Sequence, residues 1–448
     1  MKNFVKSINE LREIVKKAFL YRSEVLSNII EALVVGPRIA TPSELAASPM
    51  LGYQWSSLYS GIRAADETLS IRRLRDGRIV WLEKWQEQLG QKDESLGKWR
   101  PKILDATNYD RPKTRTVKIG YAHGADGMKP GHTLSMLSEP VAEGSWTLPL
   151  EIALVEVGQS ATEFGVQQVA GFIKRHGWNP DDVLTVDCAY TNAPTLKPMK
   201  EAGANVLGRV SGSRVFYLPP PPYSGFGRPK VRGRKIKLSD ARTLPPIDLF
   251  EKVVEADGSY YEISRWNDVR MKKWPPQPLV LYRVVEYKAN GEQKYKRPLW
   301  LIYMAASEQM PIPTPSEGQA IYDGRFSIEH SIRFMKREIG LDAGQFNGAD
   351  AELRCQLWVE LVATAMWMLF ALRGLAQSKD LQWPAWWRSR RLTPGAVRRL
   401  ALALFVKLGI GPAQPQVHGK SPGRVLGTRF EPRKRFRIFR KRKRRPAA

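Results

Sequence analysis

The chain has 448 residues, 43% hydrophobic and 10% aromatic, which supports about two to four folded units and excludes a disordered polymer. Its 71 Lys and Arg against 44 Asp and Glu leave a net charge of +27, too lopsided for an ordinary metabolic enzyme and suited to a polyanionic partner, nucleic acid first. Two cysteines, Cys188 and Cys355, exclude a disulfide framework and a cysteine-built zinc site, and fit a reducing, cytoplasmic setting.

Residues 1–98 read as helical. Leu11, Ile14, Val15 and Phe19, then Val25, Ile29 and Leu33, recur at helical spacing, and Pro37 closes that stretch. The first helix is amphipathic and carries Glu10 and Glu13, so it is expected to pack in a soluble protein rather than act as a signal peptide. Leu58 to Leu69 forms a further helical stretch, and Arg72, Arg73 and Arg75 add local positive charge. Position and charge fit a helical DNA-binding N-terminal domain or simply a helical cap, and the stretch carries no sharp helix-turn-helix signature.

From Trp99 the period shortens. Ile103-Leu104-Asp105 is an apolar run ending in an acid, and Thr116 to Tyr121, Thr133 to Leu137 and Leu150 to Val155 read as strands. Helix, strand, helix and strand follow over Ser160–His176, Val183–Asp187, Pro194–Ala202 and Asn205–Val210. Residues 99–210 are therefore the first part of an α/β core.

Residues 211–297 break the pattern. Pro219 to Pro222 precede a glycine-rich loop, and Arg228 to Lys237 hold six basic residues and no acid. Strands then meet across Asp257-Gly258, and a further turn falls at Asn290-Gly291. This is a β-rich insertion whose basic loop suits a nucleic-acid backbone. Residues 298–376 resume the core with the strand Leu299 to Met304 and a strongly apolar helix from Arg354 to Leu375, interrupted by Glu360 and too short and too charged at its ends for a membrane span. The C-terminal region, 377–448, adds a helix opened by Thr393 and Pro394 and a tail, Arg429 to Arg445, with eleven basic residues and one acid. Such a run is expected to be a disordered arm that clamps nucleic acid electrostatically.

The segment Tyr322 to Lys336 gathers the chemistry. On a helix at about 100° per residue, Tyr322, Arg325, Glu329 and Lys336 share a stripe roughly 60° wide, beside an apolar stripe of Ile328, Ile332, Met335 and Ile339. One carboxylate among groups that suit phosphate is the pattern of a metal ligand next to a polyanion. An ordinary salt-bridged helix face has the same spacing, so the other acids matter. Asp105 and Asp187 each end an apolar strand. With Glu329 they form a trio that can hold two divalent ions about 4 Å apart for phosphoryl displacement. All donors are hard oxygens, which selects Mg²⁺, with Mn²⁺ as a substitute.

The segment 99–375 resembles the DDE transposases of bacterial insertion sequences, in the group with a Tyr-(2)-Arg-(3)-Glu-(6)-Lys signature, which Tyr322, Arg325, Glu329 and Lys336 match in full. Leu104-Asp105-Ala-Thr107-Asn-Tyr109 and Thr185-Val-Asp187-Cys-Ala-Tyr190 resemble the family's two aspartate motifs, although Val186 and Cys188 replace the usual small residues. The resemblance implies a ribonuclease H-like fold with the β insertion between the second Asp and the Glu. It implies metal-dependent cutting of transposon ends and joining of the 3′-hydroxyl to target DNA, with Asp105, Asp187 and Glu329 as catalytic and metal-binding residues. Tyr322, Arg325 and Lys336 would contact DNA phosphates. The expected partners are double-stranded DNA, both terminal inverted repeats and target, and a second copy of the chain in the DNA complex; no membrane is expected. A ribonuclease H-like nuclease without strand transfer, and a non-catalytic DNA-binding descendant, are the alternatives.

Overall fold

Segments with a 3.6-residue apolar period and segments that alternate every second residue sort into two compact units in the computed structural model. The structure describes residues 2–65, 68–89, 96–111, 114–124, 127–142, 146–348, 350–377, 392–414, 425–429 and 431–439. In chain order the elements begin with α1 Lys2–Ala18, α2 Ser23–Val35, α3 Trp55–Ala64 and α4 Thr68–Leu89, followed by β1 Arg100–Asp110, β2 Gly120–Gly124, β3 Gly127–Ala142 and β4 Trp146–Leu154. Then come α5 Ala161–His176, β5 Asp182–Val186, α6 Ala193–Glu201, β6 Asn205–Val210, β7 Val215–Tyr217 and β8 Lys235–Lys237. The rest are β9 Leu249–Val254, β10 Tyr260–Met271, β11 Trp274–Tyr287, β12 Leu299–Met304, α7 Pro315–Asp323, α8 Ser327–Phe334, α9 Ala351–Ala376 and α10 Pro394–Lys407. The architecture is α/β.

The first unit comprises Met1–Gln91, Ala106–Ala161 and Ser327–Ala448. Its hub is α9, which is apolar on every side and therefore buried rather than half-exposed. It is the one described helix long and apolar enough to cross a membrane, yet 94% of its most apolar window is buried inside the protein. Helices α1, α2 and α10 and strand β4 pack on it. Trp358, Trp367 and Phe370 are each fully buried there, each contributing roughly 1.5–3 kcal/mol from burial or more for the larger indoles. Glu360, which interrupts the apolar run, has no exposed surface and pairs with Arg78 and Arg75 of α4, each at 2.6 Å. Strands β2, β3 and β4 form an antiparallel meander beside the second half of β1.

His132 on β3 is 4% exposed and stacks on Tyr109, with ring centroids 6.2 Å apart. Burial, and then the Arg111 guanidinium, push its imidazole down to about 4. The unfolded chain therefore takes up the proton first as pH falls. The neutral form supports folding fully above about 6.5, and that support is lost as pH drops towards about 4, a linkage of about 3 kcal/mol. Melting temperature followed from pH 7.5 to 4.5 should therefore fall less steeply, by about that linkage, for His132→Phe than for the parent chain. Equal slopes would place the acid sensitivity elsewhere.

The C-terminal tail departs from a free arm over its described part. Residues 431–439 form no regular element, and the backbone N–H groups of Phe436 and Phe439 donate to the carbonyls of Arg115 and Ile119 at 2.7 and 2.8 Å. The Phe439 ring lies over Gly158, where any Cβ would come within 3.4 Å of it. These two backbone hydrogen bonds tie the described part of the tail to the segment before β2, and the ring contact ties it to Gly158 after β4. Arg440 to Arg445 lie outside the described residues.

The second unit comprises Lys92–Asp105 and Thr162–Phe326. Its sheet runs β1-β5-β6-β12-β11-β10-β7-β8, with β9 on β10. The pairs β1/β5 and β5/β6 are parallel, with α5 on the connection into β5 and α6 on the crossover from β5 to β6, and β12 onward is antiparallel. Trp99, Val183, Leu207, Ile263, Tyr282 and Leu301 form its core. The two expected turns are present, with Gly258 at φ 82° and Gly291 at φ 83°, conformations that favour glycine. The strand expected from Thr116 instead starts at Gly120.

The helix expected over 322–336 is broken. Helix α7 ends at Asp323, Gly324–Phe326 forms a 3-10 turn, α8 stops at Phe334, and Met335–Ile339 widens into a π-turn. Each change of pitch shifts the angle per residue, so a stripe drawn at a constant 100° does not persist.

Candidate active site

The first two acids are placed by strand pairing within the second unit. Strands β1 and β5 run parallel with Leu104 opposite Val186, so Asp105 and Asp187 follow at the same level on adjacent strands. Leu104 and Val186 are fully buried and hold the two strands against the core; Asp187 follows the end of β5, whereas Asp105, expected at a strand end, lies inside β1, which continues to Asp110. Gly165 of α5 permits close packing here, since a Cβ at that position would sit 3.0 Å from both Leu104 and Tyr190. Gly208 of β6 does the same for Val186 and Thr191.

Each carboxylate has a defined setting. Asp187 Oδ1 accepts the Ala189 backbone N–H at 2.9 Å, a local turn that orients the side chain as the chain leaves β5. Asp105 Oδ2 accepts from Arg325 Nη1 at 3.2 Å, and the Arg325 side chain is only 8% exposed. Burial works against the Arg325 charge, but Tyr322, Asp105 and Asp187 outweigh it and hold the guanidinium above its ordinary range. The buried Tyr190 hydroxyl is pushed up by desolvation and then by the charges of Asp187 and Asp105, so both acids act on one locus. Asp182, at the opposite end of β5, is buried and satisfied by Lys102 at 2.8 Å and by the Asn179 N–H, which marks it as structural.

The four signature residues divide between the units. Tyr322 and Arg325 belong to the second; Tyr322 is fully buried in its core, with the Arg325 guanidinium 5.8 Å from its ring centre. Glu329 and Lys336 belong to the first. Glu329 is exposed on the first turn of α8, where an acid also complements the helix N-terminus. Lys336 Nζ donates to the Asn108 carbonyl on β1. Helix α8 is seated by Ser331, whose hydroxyl donates to the Thr147 carbonyl at 2.9 Å.

The structure thus brings Asp105, Asp187 and Arg325 together, with Tyr190 beside them. Among the described residues no three His, Cys, Asp or Glu side chains lie close enough to hold a metal ion. Asp105 and Asp187 nevertheless form an all-oxygen pair fitting a hard divalent cation. The cationic role of Arg325 towards Asp105 was not legible from spacing, because the two are 220 residues apart in sequence.

Residues 97–363, more than half of the chain, match the family described as transposase DDE domain. No curated protein matches the chain. Among solved structures, the cryo-EM structure of a piggyBac transposase synaptic complex with hairpin DNA aligns with 90% of this chain and 79% of that one, at 12% identity and a TM-score of 0.38.

Proposed function

The chain belongs to the transposase DDE domain family, and on that premise we propose that it cuts the ends of a mobile DNA segment and joins the freed 3′-hydroxyl to a target duplex. The observation that carries the chemistry is the shared level of Asp105 and Asp187 on neighbouring parallel strands. Asp105 within β1 and Asp187 one residue past the end of β5, its side chain held by the Ala189 N–H, are both presented by paired backbone, which keeps two like charges close. In this reading β1, β5 and β6 with α5 and α6 are the heart of a ribonuclease H-like core, and β7 to β11 are its insertion.

Asp105 and Asp187 would hold divalent metal, Mg²⁺ by donor type, and Glu329, in the first unit, matches the third acid of the family signature. Bound there, the metal would supply an activated hydroxyl and charge on the leaving oxygen. Arg325 is the positioning residue for Asp105: its guanidinium limits repulsion between the two aspartates and keeps one carboxylate oxygen directed. Lys336, anchored on the Asn108 carbonyl, places a cation beside the strand that carries Asp105 and suits a DNA phosphate. The +27 charge and the basic tail add affinity with little choice of sequence.

The test incubates the purified chain with duplex DNA carrying the inverted repeats that flank its gene. Nicks at the repeat ends and 3′-joined products are expected with Mg²⁺ or Mn²⁺ and none with chelator. Duplex that is bound but never nicked in either metal would overturn the catalytic reading.

A further inference from the structure

The insertion carries a hairpin arm whose features the active-site reading leaves unused. Its base is the two-stranded pair β7/β8, in which the facing residues Phe216 and Ile236 are both fully buried. Above the base, the Leu218 N–H donates to the Arg234 carbonyl and the Gly233 N–H to the Leu218 carbonyl, each at 2.9 Å. Gly233 is required by proximity, since a Cβ there would stand 2.2 Å from the Pro219 carbonyl oxygen. Four prolines, Pro219 to Pro222, stiffen one side of the arm.

The tip is a turn with Gly225 at φ 80° and Gly227 at φ 74°, closed by the Tyr223 hydroxyl donating to the Gly227 carbonyl at 2.9 Å. Between the two glycines stands Phe226, 92% exposed. Behind it come Arg228, Lys230, Arg232 and Arg234, with no acid before Lys237. A phenyl ring held this far into solvent on a braced turn does little for folding.

We propose that Phe226 is a wedge that enters between stacked base pairs of duplex DNA while the basic residues behind it hold the flanking phosphates. The inference rests on the DNA-acting reading above. One ring suits one base step, which partially unstacks to admit an apolar side chain. It does not suit a protein partner: an aromatic buries about 150–250 Å², far below the roughly 800 Å² that each side of a stable protein interface needs. The glycines on both sides allow close approach of the turn backbone to the groove.

A duplex of repeated TA steps with 2-aminopurine replacing adenine at its central steps is the probe, because such steps unstack most easily and the analogue brightens when unstacked. The full chain should raise the fluorescence several-fold at saturation. Phe226→Ala should lose that rise while its affinity stays within about twofold and its salt dependence is unchanged. Phe226→Leu, still an apolar wedge, should retain much of the rise. Arg228→Ala with Lys230→Ala should instead weaken binding and flatten the salt slope by about two. A rise with Phe226→Ala equal to that of the parent, or parent chain that binds the duplex without brightening it, would overturn the wedge alone. Failure of the parent to bind any duplex would remove the DNA reading as well.

Discussion

Asp187→Asn is expected to bind duplex DNA as the parent does and to lose cleavage by a factor of a thousand or more, on the order of 4 kcal/mol of transition-state stabilisation. The substitution is chosen for what it keeps. Asn retains the Oδ1 that accepts the Ala189 N–H, so the turn after β5 survives, and only the negative charge and its metal affinity are removed. Asp105→Asn should produce a similar loss by a different route, because it also weakens the pair with Arg325. Glu329→Gln, in the other unit, should match them if the third acid of the family lies there. Cys188→Ser is the control: Cys188 is exposed next to Asp187 and should change neither binding nor cutting. Melting temperatures of all four should stay near the parent value, which separates lost chemistry from lost fold. Parental nicking by Asp187→Asn would place the second acid elsewhere.

How far these sites were legible depends on the range of the interaction. Local rules worked where the deciding contact is local. An Asp-Gly and an Asn-Gly between apolar runs gave turns at Gly258 and Gly291, and an apolar run ending in Asp gave the end of β5 at Asp187; the same pattern at Asp105 gave no strand end, because β1 continues to Asp110. The level at which those two acids meet follows from the β1/β5 register, which pairing sets. The Tyr322 to Lys336 stripe shows the opposite case. Its spacing matched a family signature, but its geometry assumed one helix, and Gly324 and the π-turn at Met335 divide that helix. Phe226 was passed over because charge dominated the reading of its loop; the overlooked signal was an aromatic between two glycines.

Glu360 is the clearest long-range case, and the expected result there is a loss of fold. Leucine at position 360 should cost about 3–5 kcal/mol, the penalty for leaving a buried cation unpaired. Arg78 has no exposed surface, donates to Glu360 Oε2 at 2.6 Å and to Thr364 Oγ1 at 3.0 Å, and lies 5.6 Å from the Trp367 ring centre. Arg75, 17% exposed, donates through Nε to Glu360 Oε1 at 2.7 Å and through Nη2 to the Ile152 carbonyl at 2.6 Å. Removing the acid therefore takes the direct partner from two guanidinium groups against the hub helix and leaves them the charge of the buried Glu151 and the neutral Ile152 carbonyl. In the sequence this acid reads only as an interruption of an apolar run, because its partners lie more than 280 residues earlier. Removing the whole network should be far milder. The triple replacement Arg75→Met, Arg78→Leu and Glu360→Leu exchanges the buried charges for apolar packing and should recover most of the loss. Chemical denaturation of the single and triple variants decides it. A Glu360→Leu chain as stable as the parent would mean that the network contributes no net stability, and a triple variant no better than the single one would mean that the loss comes from packing and not from charge.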